Sequence, residues 1–444
     1  MKKVHFITLG CKTNQYETNS MGQMLLNANY EITDGKADIY IVNTCSVTNM
    51  AERKSREMIR RAKRDNPGST VIACGCYAQV AKEKLEKFDE IDLVIGTNEK
   101  NDIVQILDDY FQRKEKNKVL VSDVMHDDHY FDFGVTTYTE LTRAIIKIQD
   151  GCDRFCSYCI IPYARGRVRS REPEAVIREV KEIAKKGYKE IVITGIHLAS
   201  YGKDFKDDTY TDKDDLHSGK FRLIDLLEKI DKVEGIERIR LGSIEPKWVN
   251  QDVVERLSKI RKICHQFHLS LQSGCDETLK RMNRRYTTSE FEETTKLLRA
   301  AFPDVKLTTD VIVGFPGETD EEFTTTYKFL KKIKFYKMHI FKYSVRSGTR
   351  AEKMPDQIPA EIKEARSKKL LELSDINEYE YNKNEIGKET LILFEEREGE
   401  YFKGHSANYL YVKAKTPENV ENKILKVKLT EAKENLDIIG EIVV

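Results

Sequence analysis

Apolar positions along the chain change period three times. Short runs rich in β-branched residues recur at residues 3–9, 38–43, 70–73 and 92–95, and stretches of helical spacing follow them at 14–29, 50–65, 79–88 and 100–111. Strands alternating with helices of this length predict βαβ units and a parallel sheet. Residues 1–130 are therefore expected to form a small flavodoxin-like α/β layer. The sequence is mostly polar from 112 to 138 and reads as a crossing segment. Six more strand-like runs follow at 143–149, 190–195, 237–243, 265–271, 306–314 and 337–343, with helical stretches between them, for example 174–186, 223–232, 252–259, 288–301 and 320–332. Six βα units within 138–373 predict a partial TIM-type (β/α)6 barrel, which places chemistry at the carboxyl ends of its strands. After a helix at 362–377 the pattern becomes alternation. Five short strands (389–395, 401–405, 410–414, 423–431, 438–443) predict a small closed OB-like β-barrel over 377–444. The fold class is α/β with a terminal β-barrel.

A chain of 444 residues with 40% hydrophobic and 34% charged residues can fill several cores and keep a solvated surface. No apolar run approaches the ~18 residues of a membrane span, and the apolar N-terminal stretch is too short for a signal peptide. A soluble, cytoplasmic protein without a membrane partner is expected. The net charge of +1 gives no global attraction to nucleic acid, so any RNA contact must come from local patches. Nine cysteines, an odd number, favour metal or redox chemistry over a disulfide framework.

The cysteines fall into two sets. Cys152, Cys156 and Cys159 lie on one loop, Gly151-Cys152-Asp153-Arg154-Phe155-Cys156-Ser157-Tyr158-Cys159, directly after the first barrel strand. Soft thiolates suit zinc, copper(I) or an iron–sulfur cluster. A structural zinc would need a fourth protein ligand, and nothing nearby completes the set: the next histidine is His197. A cubane held by three thiolates leaves one iron open to a small molecule. Cys11, Cys45 and Cys76 each follow one of the first three strands. Loops at the carboxyl ends of parallel strands share one edge of the sheet, so three thiols far apart in sequence are expected to meet. Cys74 reads as a buried or spare thiol, and Cys264 and Cys275, which match no cluster motif, as packed or partly exposed thiols. The 50–65 helix carries seven cations against three acids, consistent with either a phosphate-binding face or a solvated one.

The Cys-x3-Cys-x2-Cys loop after a first barrel strand resembles the radical S-adenosylmethionine (SAM) superfamily. Gly10-Cys11, Asn43-Thr44-Cys45 and Gly75-Cys76-Tyr77-Ala78-Gln79 match the N-terminal cysteine motifs of the methylthiotransferases, and the position of the terminal barrel is similar to that of a TRAM domain. Together the three cover essentially the whole chain. Cys74-Gly75-Cys76-Tyr77-Ala78-Gln79, Gly242-Ser243-Ile244-Glu245-Pro246 and Leu279-Lys280-Arg281-Met282-Asn283-Arg284 resemble the branch that acts on N6-threonylcarbamoyladenosine at position 37 of tRNA.

The resemblance implies two [4Fe-4S] clusters and two SAM molecules per turnover. The Cys152/Cys156/Cys159 cluster would cleave one SAM to a radical that takes hydrogen from C2 of the adenine. The Cys11/Cys45/Cys76 cluster would carry the sulfur, methylated by a second SAM. The partners implied are the tRNA anticodon stem-loop and an electron donor such as flavodoxin or ferredoxin, and the base is expected to leave its stack. Same-chemistry alternatives are isopentenyladenosine in tRNA or a ribosomal-protein aspartate; a zinc-containing RNA-binding protein is the non-enzymatic one. Strand ends supply SAM-binding candidates: Gly195, Ser243, Glu245, Gln272 and Asp310, with Tyr158 in the cysteine loop placed to pack on adenine. Arg165, Arg167, Arg169 and Arg171 form a basic string beside that loop, suited to RNA phosphate or the SAM carboxylate. Arg281, Arg284 and Arg285 make a second basic group. In the terminal barrel Tyr401, Phe402, Tyr409 and Tyr411, with Lys403 and Lys413, are candidate base-stacking surfaces. The acidic insertion 204–215 reads as a surface loop.

Overall fold

The computed structural model describes residues 1–113, 118–137, 142–205, 215–217, 219 and 221–443. Most of the expected acidic insertion lies outside them.

The N-terminal part runs β1 (Lys3–Thr8), α1 (Lys12–Asn27), β2 (Glu31–Ile32), β3 (Ile39–Thr44), α2 (Asn49–Asp65), β4 (Thr70–Gly75), α3 (Cys76–Val80), α4 (Lys82–Leu85), β5 (Leu93–Ile95), α5 (Ile103–Arg113) and β6 (Val119–Leu120). Its six strands form one parallel sheet in the order β2-β1-β3-β4-β5-β6. The central strand β3 is buried throughout, as its unbroken run Ile39-Tyr40-Ile41-Val42 requires. Ile39 and Ile41 pack with Met21, Leu25 and Leu107 on one face, Tyr40 and Val42 with Ile59 and Ala62 of α2 on the other. Thr48 caps α2 by accepting from the Ala51 amide at 3.1 Å. The single helix expected at 79–88 is two short ones, interrupted at Ala81. The polar stretch after 112 is more than a crossing, since it adds β6 to the sheet edge.

The central part runs β7 (Ala144–Asp150), α6 (Ile161–Arg165), β8 (Arg169–Ser170), α7 (Pro173–Lys185), β9 (Glu190–Gly195), α8 (Leu223–Asp231), β10 (Arg238–Leu241), α9 (Gln251–Leu257), β11 (Gln266–Gln272), α10 (Asp276–Arg281), α11 (Thr288–Ala301), β12 (Lys306–Val313), α12 (Asp320–Ile333) and β13 (Lys337–Lys342). Two sheets, β10-β9-β7-β8 and β11-β12-β13, are linked through the bridges Ile239–Ile263 and Ile244–Leu269. Six parallel strands thus follow one another in chain order, with β8 an antiparallel addition to β7. One continuous apolar core joins them to their helices, with Trp248 buried in it.

Helix α13 (Ala360–Lys383) leads to β14 (Glu389–Glu398), β15 (Tyr401–Ser406), β16 (Tyr411–Lys415), β17 (Ile424–Ala432) and β18 (Ile438–Ile442), which close into a barrel in the order β14-β15-β16-β18-β17. Two guanidiniums fasten this barrel to the parallel strands. Arg238 donates to the carbonyls of His405 (2.9 Å) and Leu391 (2.8 Å), and Arg240 to that of Ser406 (3.1 Å). Among the described residues, no helix is long and apolar enough to cross a membrane.

Candidate functional site

Backbone geometry delivers the thiols. Gly10, Gly75 and Gly151, each immediately before a cysteine, sit in the left-handed region at φ of 99°, 95° and 70°. Each also makes a close approach that a side chain would block. A Cβ on Gly10 would stand 2.8 Å from Cys45 Sγ, one on Gly75 2.5 Å from the Thr44 carbonyl, and one on Gly151 1.7 Å from that of Arg167. The first two contacts tie the end of β3 to the ends of β1 and β4, bringing Cys11, Cys45 and Cys76 to one edge of the sheet. Cys11 is exposed, Cys45 and Cys76 are buried, and the three thiols of the other loop are partly buried.

Burial pushes the Cys45 thiol up to about 11, and with the neighbouring Cys156 it pushes Cys159 up to about 12. Cys76 is also raised by burial, although the Arg165 guanidinium opposes the shift. Such thiols lose their proton when a metal takes its place. The donor sets fit clusters. Each trio consists of soft ligands only, and each has one sulfur accepting from an arginine: buried Arg165 Nε to Cys76 Sγ at 3.2 Å, and half-buried Arg284 Nη1 to Cys156 Sγ at 3.3 Å. Hydrogen bonds to ligating sulfurs are a principal means of tuning iron–sulfur centres. Among the described residues no three His, Cys, Asp or Glu side chains close on a single ion. A cubane does not require that, because each thiolate binds a different iron.

One cavity of about 660 Å³ is bordered by Cys11 of the first trio and by Cys152, Cys156 and Cys159 of the second. Its walls include Tyr158, Gly195, Ser243, Glu245, Gln272 and Asp310, the six residues singled out at strand ends and in the cysteine loop. Tyr158 meets Phe315 edge to face at 6.3 Å. Glu245 accepts from Arg284 Nη2 at 3.0 Å and lies 3.3 Å from His197 Nε2, while His197 Nδ1 is 2.8 Å from the Ser200 hydroxyl. A polar chain thus runs from Ser200 through His197, Glu245 and Arg284 to the Cys156 sulfur. Burial alone would raise the Glu245 carboxyl; Arg284 and His197 outweigh it and hold Glu245 far below the usual carboxylate range. Asp310 pairs with His268 at 3.1 Å. Tyr409, from the terminal barrel, also reaches the cavity wall, where Arg240 lies 5.2 Å from its ring.

The basic string beside the cysteine loop requires correction. Arg165, Arg169 and Arg171 are essentially inaccessible and cannot meet RNA phosphate; each is spent on internal partners. Arg165 bonds Glu17, Asp150 and Asn14. Arg169 donates to the Arg165 carbonyl at 2.7 Å, and Arg171 pairs with Glu179 and Asp132. Only Arg167 of the four is exposed, with a loose pair to Asp153 at 3.4 Å. In the terminal barrel Phe402 belongs to the core and offers no stacking face. Lys403 and Lys413 are paired with Glu396, Glu398 and Asp437. Cys74, Cys264 and Cys275 are packed in the interior. Sequence reasoning missed Lys12 as a cavity residue, placed His197 in a strand-end string without a role of its own, and gave Arg284 none beyond a basic group. The signals available were the place of His197 two residues after the β9 glycine and that of Lys12 directly after Cys11.

Comparisons with known proteins agree with this architecture. Residues 146–330 match the radical SAM superfamily, and residues 3–96 match the uncharacterized protein family UPF0004. The threonylcarbamoyladenosine tRNA methylthiotransferase MtaB of Bacillus subtilis (strain 168) is 42% identical over 442 residues, covering 97% of this chain and 94% of the relative. The tRNA-2-methylthio-N(6)-dimethylallyladenosine synthase of Carboxydothermus hydrogenoformans is 35% identical, covering 97% of each. Among solved structures, the radical S-adenosylmethionine methyltransferase TsrM from Kitasatospora setae aligns with a TM-score of 0.56 at 15% identity over 77% of this chain and 73% of that one, a likeness of fold. The chain belongs to the radical SAM tRNA methylthiotransferase family.

Proposed function

We propose that the protein methylthiolates C2 of N6-threonylcarbamoyladenosine at position 37 of tRNA, giving the 2-methylthio derivative. The observation that carries this reading is the shared cavity: Cys11 of one trio and all three cysteines of the other, on two separate sheets, border one space large enough for a nucleobase and a cofactor. The 42% identity to the Bacillus subtilis enzyme supports the choice of base. Cys152, Cys156 and Cys159 would hold one [4Fe-4S] cluster, and Cys11, Cys45 and Cys76 the other. With SAM bound, these groups supply the radical and the sulfur that C–H functionalisation of an aromatic carbon requires.

The chain's own residues bind and orient. Gly195, Ser243 and Gln272 line the side of the cavity where SAM would lie, with Tyr158 beside the cysteine loop as a surface for adenine. Glu245, fixed by Arg284 and His197, keeps one carboxylate orientation on that wall. The organisation we assign is a flavodoxin-like unit (1–130), a radical SAM partial barrel (138–373) and a TRAM-like, OB-type RNA-binding barrel (377–444) of a cytoplasmic enzyme reduced by a small electron-transfer protein. Exposed Arg167, with Arg53 and Lys54 of α2, are candidate phosphate contacts.

The test is an anaerobic reaction of reconstituted protein, SAM and reductant with a threonylcarbamoyladenosine stem-loop, read by nucleoside mass spectrometry. The 2-methylthio product is expected. Cys156→Ala should abolish 5′-deoxyadenosine formation, whereas Cys45→Ala should retain it and lose sulfur insertion. Product from the Cys45 variant would overturn the division of labour between the trios.

A further inference from the structure

One cation on the cavity wall makes no hydrogen bond or ion pair among the described residues. Lys12, the first residue of α1 and the neighbour of Cys11, lines the cavity with Thr308, Asp310, His339 and Tyr409. Other lysines of this interior are matched: Lys100 and Lys147 bond Glu17 at 2.5 and 2.7 Å. Lys12 has no hydrogen-bond or ion-pair partner among the described residues. The carboxylates it faces are engaged elsewhere. Glu190 is shared by Arg240, Arg238 and Arg143 at 2.6, 3.6 and 3.9 Å, and Asp310 is held by His268. Lys12 is exposed on this cavity wall, and an ammonium there without a hydrogen-bonded partner is open to an entering anion.

The inference rests on the function proposed above. The base named there carries, through a urea link, a threonine with a free carboxylate. The dimethylallyl group named for the Carboxydothermus relative is uncharged and apolar. We infer that Lys12 reads the carboxylate of the threonylcarbamoyl group and so selects this base over adenosines whose N6 substituent lacks a negative charge. The methionine carboxylate of SAM is the other anion that enters this cavity, and the experiment separates the two.

Reconstituted full-length protein would be given two anticodon stem-loops, one with threonylcarbamoyladenosine and one with its threoninamide analogue, whose carboxylate is replaced by a carboxamide. Wild-type kcat/KM should be about 10- to 100-fold lower for the amide, the worth of one hydrogen bond to a charged group. In Lys12→Met the ratio should fall to about 1, while Lys12→Arg should retain most of it. Iron content and the affinity for SAM without RNA should match wild type in Lys12→Met. A wild type indifferent to the carboxylate, a Lys12→Met enzyme that keeps the preference, or weakened SAM affinity in that variant would each overturn the assignment. If Lys12→Met fails to take up iron, Lys12→Gln, which removes the charge and keeps a polar side chain, is read in the same way: a ratio of about 1 supports the assignment and a retained preference overturns it. Absence of product from either stem-loop with wild type would refute the proposed function itself, a different outcome.

Discussion

Removing the Arg165 guanidinium, as in Arg165→Met, should loosen the contact between the N-terminal sheet and the parallel strands of the central part. Arg165 ends α6 and inserts among four other buried charges, the carboxylates of Glu17 of α1 and Asp150 of β7 and the ammonium groups of Lys100 and Lys147. Three cations face two carboxylates, leaving one positive charge for the thiolates at Cys76, which Arg165 also touches. Removing one partner of a buried pair costs about 3–5 kcal/mol. Here Glu17 keeps Lys100 and Lys147, and Asp150 keeps Lys147, so the expected loss lies at the lower end, about 3 kcal/mol.

Urea unfolding at pH 7, followed by far-UV circular dichroism, should show this loss in the first transition. A double-mutant cycle with Glu17→Gln should be non-additive by about 1 kcal/mol or more. The pH dependence has a definite sign. Burial alone would raise the Glu17 carboxyl, but Arg165, Lys100 and Lys147 outweigh it and hold it well below the usual value. A depressed carboxylate contributes stability above its unfolded pKa, about 4.3, and loses that contribution as the pH falls below it. Wild type should therefore weaken below about pH 4, and Glu17→Gln should flatten that limb. A change under about 0.5 kcal/mol in Arg165→Met, or an additive cycle, would refute the reading of Arg165 as the seam's anchor.

Two further expectations concern the cysteine sites. Arg284→Met removes the donor on Cys156, and at about 1 kcal/mol for one hydrogen bond the midpoint potential of that cluster should fall by about 40 mV in a spectroelectrochemical titration; an unchanged potential would remove Arg284 from the tuning role. Gly10→Ala would place a Cβ against the Cys45 sulfur at a left-handed φ, so iron analysis should find the first trio's cluster missing and the second retained; full iron loading would show that the turn can relax.

The alternation of strands and helices, the five short terminal strands and the places of Cys11, Cys45, Cys76 and Cys152 after strands were legible in the sequence, because periodicity and Gly-Cys dipeptides are local signals. The fate of the arginines was not. Arg165 finds Glu17 148 positions earlier, and Arg284 finds Cys156 128 positions earlier, so a guanidinium spent across a seam reads in sequence like a surface cation. Phe402 shows the same ambiguity for rings: alternation marks it as a strand residue but does not say which side of a closed barrel it takes. Lys12 was hidden in another way. Its neighbour Cys11 drew the reading, and only the cavity joining two sheets gives the lysine a place in the site.

Iron and labile sulfide per chain, measured on anaerobically reconstituted protein and on the Cys45→Ala and Cys156→Ala variants, test most directly whether two thiol trios each hold their own cubane at one cavity. The expected result is about eight irons in wild type and about four in each variant. Colourless protein carrying zinc, or four or fewer irons in wild type, would contradict it.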